Sequence, residues 1–485
     1  MSDTHAQTVT FVRDTMLPPI APPSGDSGAL KWLRENLFST WLNTILTLVG
    51  LWVIYYLVAS ALPWWLNSVW NANSLSECRA IVAENAGPGA TGACWAVVHQ
   101  RWYQWIFGFY PPALWWRPVL TLGLLFAALA PVLFAGQKTK LRNILLGVLV
   151  YVLVTLWLAQ APAVPFLLAV ALVVGLLALS QVLPGKLLWF TALFPALCFW
   201  LLWGGPIWTP ISAILGFVIG ALVFRALSGA TGPAVAVGLG VVAAVLWWLF
   251  VAGPVMGAVG RMLPWGLTAV ASDQFGGLLL SVIIGVTAIT FSLPIGILLA
   301  LGRQSDMLIV KTLCVGFIEF IRGVPLITLL FTASLLLQYF LPPGTNFDII
   351  LRVIILVTLF AAAYLAEVIR GGLAALPRGQ YEAADALGLD YWRAQRLIIL
   401  PQALKISIPS IVSTFIGLFK DTTLVAFVGL MDPLKGITQI VRADINWKGI
   451  YWEPYIFVGA IFFIICFSMS RYSMYLERKL KTDHR

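Results

Sequence analysis

Three charged couples lie within or beside apolar stretches of the C-terminal half: Glu319 with Arg322, Glu367 with Arg370, and Lys420 with Asp421. Charge at membrane depth is costly and is kept where it is paired or used. Each couple therefore reads either as a local ion pair that sets helix register or as a gating group. Near them lie the hydroxyls of Thr328, Thr332, Tyr364, Thr422 and Thr423, with Thr328 and Thr332 spaced to share one helix face. Such hydroxyls can line a polar path, and equally a threonine in an apolar helix can bond its own preceding carbonyl. Neither set is catalytic machinery. There is no Gly-x4-Gly-Lys-Ser/Thr phosphate loop, since Gly185-Lys186 is followed by leucine and lacks the earlier glycine. His-Glu-x-x-His and Gly-x-Ser-x-Gly patterns are also missing, and three histidines in 485 residues suit a membrane-embedded enzyme poorly.

The elements that must hold these groups are membrane helices. Hydrophobic residues make up 60% of the chain and charged residues 10%, with mean hydropathy +0.91, whereas about a quarter of residues are charged in soluble domains. An all-α polytopic membrane protein follows. At about 20 apolar residues per crossing, about twelve spans can be counted: near 40–62, 117–135, 144–160, 163–183, 187–203, 211–227, 233–252, 277–301, 312–340, 349–370, 406–429 and 452–476. The net charge of +10 is scattered at the ends of apolar segments, so it reads as an orientation signal in a lipid bilayer and not as a nucleic-acid surface.

Alternate loops are basic: Lys31 and Arg34, then Lys138, Lys140 and Arg142, then Lys186, then Arg225. Continued, this parity puts 371–405 and the tail bearing Arg478, Lys479, Lys481 and Arg485 inside, with both termini cytoplasmic; Arg261, Lys435 and Arg442 fall against it. Residues 1–39 read as a disordered, Pro-rich cytoplasmic tail without a signal peptide. The loop 63–116 lies outside, and its tryptophans suit the membrane interface. Cys78 and Cys94 flank a Gly- and Pro-containing turn in that loop. In an oxidising compartment a disulfide is favoured there over two free thiols, stabilising by roughly 3 kcal/mol. Metal binding is disfavoured, because His99 is the only imidazole nearby. Cys198, Cys314 and Cys466 sit in apolar stretches as small hydrophobes. A Gly/Pro-rich break near 253–276 divides an extension, 40–265, from a C-terminal part, 266–485.

The longest charge-bearing stretch of that C-terminal part runs from Gln380 to Pro401 between two spans. Pro377 and Glu382 suit a helix start, Gly388 a stop, and Asp390 the cap of a second short helix that must end near Pro401. The small side chains of Ala383, Ala384 and Ala386 would let another protein surface approach the backbone.

The spacing of Glu382, Ala383, Ala384, Gly388, Ile398, Leu400 and Pro401 resembles the EAA signature of ABC importer membrane subunits, as against an ordinary amphipathic loop. The segments Gly276-Gly277-Leu278, Glu319 to Pro325, Ala363 to Arg370, Pro377 to Gln380 and Lys420 to Leu424 are together similar to the polar amino acid branch of these permeases. The long extension with paired cysteines resembles the M-type subunit of general L-amino acid importers. The resemblance implies a five-helix type I permease core in the bacterial inner membrane and ATPase coupling through the seven signature residues. It also implies amino acid import with a second permease subunit, an ATPase dimer and a periplasmic binding protein. No cofactor is expected on this chain; ATP and Mg belong to the ATPase. The alternative is an ion-coupled secondary transporter, in which a buried acid such as Glu367 would serve as an ion site.

Overall fold

The computed structural model describes residues 28–134, 136–336, 339 and 348–480. Most of the proposed N-terminal tail, together with Lys481 and Arg485, lies outside them. The chain divides into two compact units, Met1–Ala96 and Val97–Arg485.

In the first unit, α1 (Gly28–Asn36) is helical where a disordered tail was expected. Lys31 and Glu35 pair at i,i+4, and Asn36 donates to Trp32 O, which supports a short helix. The long α2 (Trp41–Leu66) is capped by the Thr40 side chain, and none of its residues is buried. A helix apolar on every side suits lipid. Beyond it, α3 (Leu75–Ala86) is capped by Ser74 and ends at Gly87. A disulfide joins Cys78 and Cys94, with Cα atoms 6.1 Å apart. Trp64, Trp65 and Trp70 gather around the buried Trp95.

The second unit carries almost all of α4 (Ala96–Phe107), then α5 (Trp116–Leu133), α6 (Lys138–Leu158), α7 (Ala163–Val182) and α8 (Leu187–Trp203). Leu124, Leu145, Val152, Leu156 and Val173 fill the core between these last four. Helices α9 (Trp208–Thr231), α10 (Pro233–Leu246) and α11 (Ala252–Met262) follow, the last two joined by a π-helical turn. A two-stranded antiparallel link pairs Gly205–Pro206 with Gly266–Leu267.

The C-terminal elements are α12 (Gly277–Arg303), α13 (Leu308–Gly323), α14 (Leu326–Leu336), α15 (Ile349–Ala374), α16 (Gly379–Ala386), α17 (Tyr391–Ala394), α18 (Leu400–Asp421), α19 (Pro433–Ala443) and α20 (Trp452–Leu480). Leu280, Ile284 and Ala288 of α12 pack with Val353, Val357 and Ala361 of α15. The same core takes in Phe107, Tyr110, Leu202, Val270 and Phe275. The unit boundary thus falls at 96/97, and residues on both sides of the expected join at 265/266 share one core. Trp203 stacks on Phe275 at 4.4 Å, and buried Tyr110 donates to Leu202 O. Burial pushes the Tyr110 phenol up to about 12, so it stays a donor at any physiological pH.

Gly277 shows how tightly α4 meets this core. Its φ is +60°, and an added Cβ would lie 2.3 Å from Trp105 O, so only glycine fits.

Among the described residues eleven helices are long and apolar enough to cross a membrane, or twelve if α13 and α14 form one broken span. The span counted over 312–340 is, within the described residues, broken into two helices that meet at 103°. Proline supplies the reason. Val324 before Pro325 is extended (φ −103°, ψ 132°), as the ring demands of its predecessor, and Pro325 has no N–H to continue α13.

Candidate coupling site and charge network

The joint at Gly388 is built by local chemistry. Gly388 has φ +67°, Leu389 N donates to Ala384 O at 3.2 Å and Gly388 N to Asp385 O at 2.9 Å. That pair of bonds is the Schellman closure of α16, and glycine takes its left-handed position without penalty. Asp390 then caps α17, accepting from Arg393 N at 2.9 Å. The result is helix, glycine joint, helix.

Pro401 does not end the second helix as the sequence suggested. A π-helical turn over Gln395–Ile399 widens the spiral ahead of the ring and lets α17 run on into α18. Gln402 Nε2 donates to Ile398 O at 3.1 Å and to Gln380 Oε1 at 2.9 Å. The second bond clasps α16 to α18. Sequence reasoning missed Gln380 and Gln402 as partners; twenty-two residues separate them, and only the return of the chain after Gly388 brings them together.

The signature residues divide by face. Ala384 is buried, while Glu382, Ala383 and Gly388 are exposed. Ile398 and Leu400 are half-buried and pack toward the core of Ile369 and Ala403, and Pro401 is exposed. Leu387 is 72% exposed, Trp392 65% and Leu397 63%. Three large apolar side chains left outward around a small-residue helix make a surface fit for another protein. Burial pushes the Tyr381 phenol up, keeping it neutral against the same core.

Of the three couples expected, Glu367 with Arg370 forms, as part of a larger network, and the other two do not form among the described residues. Glu319 pairs with Arg303 at 2.7 Å and not with Arg322. Glu367 is the hub: its carboxylate lies 2.7 Å from Arg303 and 3.7 Å from Arg322, and accepts from Arg370 Nε at 3.0 Å. Its Oε1 meets Arg303 as an ion contact only, without hydrogen-bond alignment. Arg303 at the end of α12, three residues of α13 and α15, and their shared carboxylate so form one knot. A helix turn separates Glu319 from Arg322, but α12 lies alongside and supplies the nearer guanidinium. Arg303 lies sixteen residues before Glu319 and sixty-four before Glu367, and its spacing in sequence carries no sign of this role. Lys420 and Asp421 form no ion pair among the described residues, since successive helical side chains point apart.

The hydroxyl set is dispersed. Tyr364 is partly exposed beneath the Arg322 guanidinium, 5.7 Å from its ring centre, a cation–π distance. Thr328 and Thr332 are exposed on α14. Thr422 is fully buried and donates to Phe419 O, and Thr423 donates to Lys420 O. Both therefore turn their hydroxyls into their own helix in this structure. Among the described residues no group of three or more His, Cys, Asp or Glu is placed to hold a metal.

Residues 292–482 match the family model "Binding-protein-dependent transport system inner membrane component". Over 485 residues, 100% of both chains, the sequence is 62% identical to the glutamate/glutamine/aspartate/asparagine transport system permease protein BztC of Rhodobacter capsulatus. The chain belongs to the amino-acid ABC transporter permeases. This permease is also 35% identical, over 96% of each chain, to the inner membrane amino-acid ABC transporter permease protein YhdY of Escherichia coli K12. A crystal structure of an amino acid ABC transporter with histidines aligns at 31% identity over 41% of this chain and 90% of that one, with a TM-score of 0.37. Membership implies ATPase and substrate-binding partners for the permease and leaves the ion-coupled alternative without support.

Proposed function

We propose that this permease forms one half of the translocation pathway of an ATP-driven importer for acidic amino acids and their amides. A second, homologous permease completes the pathway, an ATPase dimer carrying ATP and Mg docks on 371–405, and a periplasmic protein delivers substrate. The carrying observation is the clasped joint: α16 presents Glu382, Ala383 and Leu387 outward while Gln380 bonds Gln402 at the foot of α18. ATP-driven closure of the ATPase moves α16, and α18 moves with it. Coupling of this kind needs two states that differ in contacts. The Glu367 knot supplies such contacts, because opening α12 away from α15 would part Arg303 from Glu367.

The charge parity of the loops supports cytoplasmic termini and a cytoplasmic 371–405, which gives the joint access to an ATPase. The substrate class is carried over from the full-length relative's stated substrates. Three arginines against two glutamates leave the knot net positive, which favours an anionic solute. The test is uptake of labelled glutamate by vesicles holding the complete complex. Expected is ATP-dependent uptake that aspartate, glutamine and asparagine compete and arginine does not. Uptake that persists without ATP and collapses with an uncoupler would overturn the reading.

A further inference from the structure

Residues 85–272 hold eight basic residues and no aspartate or glutamate. Arg101 finds its carboxylate outside the segment, in Asp444. Arg117, 2% exposed, donates to Thr268 O instead. Lys138, Lys140 and Arg142 all stand in the first turns of α6, at the positive end of the helix dipole, where cations are unfavourable. The first turn of α6 holds no acidic residue and has no side-chain cap. Lys186 closes the neighbouring turn Pro184–Lys186.

These turns lie where four apolar helices end. Between them opens a cavity of about 200 Å³, lined on its polar side by Gln137, Lys138 and Gly185 and on its apolar side by Pro131, Leu141 and Leu188. Its polar wall is held in place. Gln137 Nε2 and Lys140 Nζ both donate to Tyr475 Oη, at 2.9 and 3.0 Å, and the adjacent Tyr472 donates to Leu133 O. Lys140 is thus engaged, whereas Lys138 has no carboxylate partner among the described residues. The cavity is smaller than the roughly 300–1,000 Å³ of pockets for whole small molecules.

We propose that this cavity binds the phosphate headgroup of an anionic phospholipid, with Lys138 and the free N–H groups of α6 on the phosphate and the acyl chains along Leu141 and Leu188. The missing counter-charge is the reason. The segment has none of its own here, and a membrane boundary offers it as lipid phosphate, which basic pockets between membrane helices attract. Inorganic phosphate has the same oxygens but nothing to cover the apolar wall.

The test is native mass spectrometry of the full chain in detergent with equal phosphatidylglycerol and phosphatidylethanolamine. The wild type should keep phosphatidylglycerol preferentially, and millimolar inorganic phosphate should not displace it. Lys138→Gln removes the charge. Gly185→Leu keeps every charge but adds an apolar side chain to the cavity lining, at a position where nothing lies within 4 Å of the new Cβ. Each should lower phosphatidylglycerol retention roughly fivefold. Arg225→Gln, elsewhere in the acid-free segment, should leave it unchanged. Equal binding of the two lipids, displacement by phosphate, wild-type retention by Gly185→Leu, or an Arg225→Gln loss equal to that of Lys138→Gln would each overturn the site.

Discussion

Around Glu367, three arginines from three helices converge on one carboxylate and a second acid, Glu319, shares the nearest of them. In residues 85–272, eight cations have no acid of their own stretch to meet. The first region pairs its charges among its own helices, with one positive charge over, and that pairing links the positions of α12, α13 and α15. The second leaves its charge to be met from outside, by the membrane or by a distant residue such as Asp444. Internal pairing suits parts that must change partners. Unmet charge suits parts that must stay oriented.

This contrast makes the largest effect fall on Glu367. Its side chain is 16% exposed, and Glu367→Gln leaves Arg303, Arg322 and Arg370 crowded without their shared acid. A loss of about 2–3 kcal/mol in stability is expected, below the full cost of breaking a wholly buried pair because water reaches this one. Thermal unfolding in detergent and uptake should both fall, uptake by roughly tenfold or more. A smaller effect is expected at the border between the two regions. Arg101→Ala leaves Asp444, 13% exposed, unpaired and should cost roughly 1–2 kcal/mol, read as a lower unfolding midpoint with uptake per folded molecule retained. The smallest belongs to Glu319, whose side chain is 53% exposed. Glu319→Gln should leave the unfolding midpoint where it was, because Arg303 keeps its contact with Glu367. A Glu319→Gln effect as large as that of Glu367→Gln would move the hub of the network and break the comparison.

The parts of this arrangement that local sequence dictates were legible in advance. Gly388 as a joint and Asp390 as a cap are decided within four residues, by φ and by one side-chain oxygen. Apolar length made most of the spans countable, and the family signature lies in a single run of twenty residues. What escaped depends on neighbours brought from afar. Glu319 met Arg303 because α12 lies beside α13, and Gln402 met Gln380 because the chain doubles back. Pro401 misled for a different reason. Proline forbids one hydrogen bond, but the π-turn before it rearranges that bond without stopping the helix. Thr422, chosen for its hydroxyl, is buried and donates to the Phe419 carbonyl one turn back, a competition that sequence leaves open.

The central claim is that α16 and its glycine joint carry motion from an ATPase into the spanning helices. Gly388→Pro tests it most directly, since proline holds φ near −65° where the joint needs +67°. In membranes expressing the whole complex, the variant chain should insert at wild-type level yet lose both co-purification of the ATPase and ATP-driven amino acid uptake. Wild-type co-purification together with wild-type uptake would contradict the account.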